Sequence, residues 1–194
     1  MSAAHSHRFG ARARRATLAL GLAMLAGCAQ HGGAPSRSAS PYAGQPQREV
    51  SALSPAEVAD LRAGRGMGLA RPAELNGYPG PLHVLELAAA LELSADQRAR
   101  TEVLYARMQA AAREAGARWI EAERELDALF RTRQATPQSL RAALDRIGAL
   151  QARAREVHLQ AHVEQTALLT PTQIERYVQL RGYGGAHGRH HEHR

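Results

Sequence analysis

The chain has 194 residues, room for one domain, and only two Phe and one Trp, which excludes a large aromatic core and favours an all-α fold with a thin one. Its +7 charge comes from 25 arginines with no lysine, but four of them lie in the first 27 residues, so the rest of the chain carries only +3. An excess so mild and so interspersed with acids excludes a nucleic-acid surface.

Residues 1–27 read as a targeting segment. Arg8, Arg12, Arg14 and Arg15 make a basic start, and Ala16 to Leu25 form an apolar run of about ten residues, too short to span a bilayer. The run ends in Leu25-Ala26-Gly27-Cys28, which resembles the bacterial lipobox. That resemblance implies that Cys28 is acylated and becomes the new N-terminus. The chain is then lipid-anchored in the periplasm, and the Ala29 that follows favours the outer membrane. The alternative is an ordinary signal peptide with an incidental cysteine. Cys28 is the only cysteine, so no internal disulfide is possible. Residues 28–53, rich in Gly, Ser, Pro and Gln, read as a flexible tether.

The helical domain is expected over residues 54–183. Ser54-Pro55-Ala56-Glu57 is a capping box and predicts a helix from Pro55 to about Arg62. Gly64-Arg65-Gly66-Met67-Gly68 stops it; no strand precedes these glycines and no lysine follows, so they are not a phosphate loop. Asn76 to Pro81 is dense in turn residues and predicts a rigid corner. The corner launches a short helix from Pro81 to about Leu91, on which His83 and Glu86 share a face.

Two pentads of one form then bracket the longest helical patterns. Leu93-Ser94-Ala95-Asp96-Gln97 opens the first, and Leu169-Thr170-Pro171-Thr172-Gln173 follows the second. In each, a hydroxyl caps the first free N–H groups and a glutamine three residues on reaches back. Between them, apolar residues recur at threes and fours from Thr101 to Leu129 and from Leu140 to Leu168, with one break at Arg133 to Pro137. The spacing predicts a long antiparallel helical hairpin with short flanking helices. Two helices cannot bury such a stripe from all sides, so either the flanking helices or a second copy cover it. Gly116 and Gly148 interrupt the long helices, and Gly148 is expected to make room for the Trp119 indole. Residues 184–194 form a His-rich, low-complexity tail.

The paired pentads at Leu93, Ser94, Gln97 and Leu169, Thr170, Gln173, with the lipobox and the hairpin pattern, are similar to the LTxxQ-motif periplasmic proteins, the Spy/CpxP group and its metal-sensing relatives. Ser94 stands where the motif has threonine, which preserves the capping chemistry. The resemblance covers roughly residues 55–183. It implies a non-enzymatic, often dimeric helical cradle that binds unfolded or envelope proteins, or reports stress to a sensor kinase or anti-sigma system, or binds metal.

One constellation carries candidate chemistry of its own. His158 and His162 lie one turn apart, a chelating spacing, at a level of the second helix expected to face Met108. The helix with His83 and Glu86 leads into the same end of the hairpin. A site of His83, Glu86, His158 and His162 suits a divalent transition metal (Zn, Ni, Co or Cu), with Met108 as a soft addition. The alternative is that the two histidines pack at a polar break in the seam. The tail histidines His187, His190, His191 and His193 are a second place where metal would bind. No cofactor is required by the fold, and no nucleophile or paired-carboxylate arrangement suggests catalysis. Three functions stand: a Spy/CpxP-like binder of unfolded or envelope proteins, a metal sensor or buffer, and a purely structural envelope lipoprotein.

Overall fold

In a computed structural model, residues 40–184 are described. Cys28, the signal segment and the four tail histidines lie outside them. Among the described residues every regular element is a helix and there is no strand. The helices are α1 (Pro55–Ala63), α2 (Arg71–Glu74), α3 (Pro81–Glu86), α4 (Ala95–Arg131), α5 (Pro137–Leu168) and α6 (Pro171–Leu180).

The helix starts follow from local chemistry. Ser54, Ser94, Thr136 and Thr170 each cap with a side-chain oxygen that accepts from the backbone N–H three residues on, and the residue there bonds back in every case. Pro at the first position of α1, α5 and α6 loses no hydrogen bond. Two elements differ from the sequence expectation. The helix from Pro81 ends at Glu86, and Leu87 to Glu92 continue as hydrogen-bonded turns that finish with Glu92 at φ 52°. The chain must swing there to enter α4. The single turn α2 sits where no periodicity announced a helix.

α4 and α5 run side by side in opposite directions. Gln97 Nε2 donates to the Leu168 carbonyl at 2.9 Å, and Gln165 Nε2 donates to Thr101 Oγ1 at 3.2 Å. Arg107 pairs with Glu164, and Arg146 with Glu125. At ~1.5 Å per residue, α4 is about 55 Å long.

Flanking segments cover one side of the pair in two clusters. Val50, Leu53, Val58 and Leu61 pack on Ile120 and Trp119 of α4. Val84 and Leu91 pack with Leu169 and Tyr177, supported by Leu87, Leu93 and Ile174. Gly116 lets α1 approach: a Cβ there would lie 2.5 Å from the Leu61 carbonyl oxygen. Gly148 does not house the indole as expected. A Cβ there would meet nothing within 4 Å, while Trp119 turns toward the α1 cluster and its Nε1–H donates to Glu123 at 3.0 Å. Past the α1 cluster the seam thins. Leu126, Leu129 and Leu140 are half-buried, and Phe130 and Leu144 are exposed.

Candidate functional site: an imidazole-lined cleft

A cleft of about 610 Å³ opens between the glycine loop at 64–68, α2, the start of α3, α4 near Tyr105 and Met108, and α5 near His158 and His162. Its walls are chiefly apolar, with Ala70, Leu82, Met108 and Ala161 among them. His83, His158 and His162 all line it, so three of the four expected ligands share one space. Glu86 does not. Its carboxylate is 2.9 Å from His83 Nδ1, and the two form a half-exposed pair along their own helix. The spacing that put Glu86 beside His83 made them partners for each other. Among the described residues no three His, Cys, Asp or Glu side chains are grouped closely enough to hold a metal.

The histidines differ in surroundings. His158 is 6% exposed and lies beneath the glycine loop, where a Cβ on Gly66 would come within 3.8 Å of its Nδ1. Burial, and next the charge of His162, hold its pKa below the ordinary value of 6.5. It is therefore neutral at pH 7, the form that can ligate. His162 Nδ1 is 2.7 Å from the Tyr78 carbonyl. A carbonyl only accepts, so that nitrogen carries the proton and Nε2 of the neutral ring keeps its lone pair. Gly80 leaves the space beside Nε2 open, since a Cβ there would stand 2.9 Å from it.

Glu74 was not singled out by sequence. It is the hub of a largely buried cluster that ties α2 to α6. Tyr177 Oη donates to its Oε1 at 2.5 Å and Tyr183 Oη at 3.2 Å, and Arg181 Nε lies 3.3 Å away. Its Oε2 is buried without a hydrogen bond, 3.7 Å from His162 Nδ1. Burial, then the Glu74 hydrogen bond, push the Tyr177 hydroxyl far above its ordinary range, so it stays protonated and donates to Glu74.

Elsewhere on the pair, among the described residues, α4 and α5 alone line a surface groove. The groove is shallow and lined by Ala99, Val103, Leu104 and Leu168, with Arg100, Arg107 and Glu164 at its rim. Leu159 and Val163 form a second apolar strip along α5. No protein-family model matches the sequence, and neither a curated protein nor a solved structure is found similar to it.

Proposed function

We propose that this chain is a non-enzymatic, lipid-anchored envelope protein of the Spy/CpxP type, whose long antiparallel helical hairpin holds segments of other polypeptides on its open side. The supporting observation is that side itself. Val103 is 69% exposed in the groove rimmed by Arg100 and Arg107, and Val163 is 58% exposed on the neighbouring α5 strip. Apolar side chains exposed on facing helices, with charge around them, suit weak and non-specific capture of unfolded chain. The soluble chain from residue 29 is expected to suppress light scattering by a denatured client, and Val103→Ser with Val163→Ser together should roughly halve the effect. No suppression at fivefold molar excess refutes this reading.

A second reading, transition-metal binding in the cleft, is favoured by the hydrogen bond from His162 to Tyr78. Ligating histidines are held this way, with the far nitrogen donating and the near one free. His83, His158 and His162 would be the ligands, with Met108 nearby. Small side-chain movements would have to draw them together. Calorimetry with Zn, Ni and Cu on a chain ending at Gly184 is expected to show one site per chain that His162→Ala removes. Equal affinity in the variant sinks this reading.

A further inference from the structure

We infer that the link end of the α4–α5 pair docks on an anionic lipid bilayer. Residues 128–144, from the last turn of α4 through the link into α5, contain no Asp or Glu. They contain Arg131, Arg133 and Arg141, none of which has an ion-pair partner among the described residues. Most other arginines of the two long helices are paired. Phe130 is 58% and Leu144 50% exposed in the same stretch. The Glu125–Arg146 pair fixes the register and sets Phe130 level with Arg141.

Helix dipoles explain only part of this. A cation at the end of α4 offsets the negative C-terminus, which accounts for Arg131 and Arg133. Arg141 stands in the second turn of α5, where the dipole disfavours a cation, so the dipole does not account for it. An exposed aromatic ring among unpaired arginines matches the two demands of a membrane interface, a headgroup layer carrying phosphate and an apolar boundary beneath it.

The entry of the chain points to a bilayer over an acidic polypeptide. Ser51 N–H donates to Asp127 Oδ2 at 2.8 Å, and Glu49 is bonded by Arg124 and Arg62. The chain at Glu49 and Ser51 therefore meets α4 at Asp127, one turn before that helix ends. Acylation of Cys28, the proposed function on which this inference rests, would bring the chain to such a surface.

The test uses Ser40–Arg194, a compact unit of its own, so that no acyl chain contributes. It is floated with vesicles of phosphatidylcholine containing a quarter phosphatidylglycerol, and with pure phosphatidylcholine, at low salt. Binding is expected to the anionic vesicles alone and to vanish in high salt. Replacing Arg131, Arg133 and Arg141 together with glutamine should lower the partition coefficient by about 100-fold, roughly fivefold for each arginine. The same change at Arg98, Arg118 and Arg153, on the flanks of the pair, should cost less than a tenth of that. Phe130→Ser should weaken binding severalfold, and circular dichroism checks that every variant keeps its helix content. Equal loss in the two triple variants, equal binding to neutral vesicles, or no binding to either overturns the inference. Acylation is read separately, from the intact mass of the membrane-extracted full chain, so failure of the anchor and failure of the docking end are told apart.

Discussion

Gly116→Ala is expected to destabilise the protein by about 2 kcal/mol, while Gly148→Ala stabilises it by about 0.5–1 kcal/mol. Both glycines sit inside long helices, where alanine is intrinsically the better residue. Propensity alone would make both changes favourable. The difference lies in what a methyl group meets. At Gly148 it meets nothing within 4 Å. At Gly116 it would lie 2.5 Å from the Leu61 carbonyl oxygen and 2.9 Å from the carbonyl carbon. Those are backbone atoms and cannot rotate aside. Relief requires α1 to lift, which loosens Val58, Leu61 and Ile120 together. Urea unfolding of the two variants decides the matter. If Gly116→Ala is as stable as the parent chain, α1 is not seated on α4 at this point.

The same pair of glycines shows where sequence reading reaches its limit. Both register in a helical pattern as one interruption each, and nothing local says which one a neighbour occupies. What could be read was local. Ser54, Ser94, Thr136 and Thr170 cap helices because the hydroxyl and the residue that bonds back to it sit within four residues of one another, with a proline between them in all but the Ser94 cap. The apolar periodicity of α4 and α5 likewise needs no partner to be visible.

Contacts between elements were not readable. Gln97 and Gln173 were identified as capping residues, and they do cap. Each also uses its amide N–H₂ across the fold: Gln97 donates to the Leu168 carbonyl and Gln173 to the Leu91 carbonyl, and the two amides bond each other at 2.8 Å. The two pentads thus lie against one another, and each glutamine satisfies a carbonyl near the other's helix start. The cleft was half legible. His158 and His162 announced themselves by helical spacing, and His83 by its helix leading into the same end. Glu86 is near His83 in sequence, and that nearness is what occupies it. Glu74 lies in a turn-rich stretch with no period, so no pattern marked it.

Glu74→Ala is expected to cost about 3 kcal/mol, and Tyr177→Phe about 2 kcal/mol. Tyr177 is fully buried, and its ring packs with Val84, Leu91 and Leu169. Phenylalanine keeps that packing and removes only the hydroxyl, so the measured loss reports the 2.5 Å bond to Glu74 and not a cavity. The carboxylate is then left with Tyr183 and Arg181, and Oε2 already has no hydrogen bond. Alanine at 74 does the reverse: it strands the Tyr177 hydroxyl in an apolar site and leaves the half-buried Arg181 without its carboxylate. The two losses overlap, because each single change already breaks the same bond. The double variant should therefore be destabilised by about 1 kcal/mol less than the sum of the two. Strict additivity in urea unfolding would mean the bond contributes nothing net, and that α6 is held on the fold by the apolar face of Tyr177 and Ile174 alone. The coupled result places the cleft and α6 on one support. Glu74 borders His162 on one side and carries Tyr177 and Tyr183 on the other, so loosening α6 should also widen the wall that His162 and Tyr183 share.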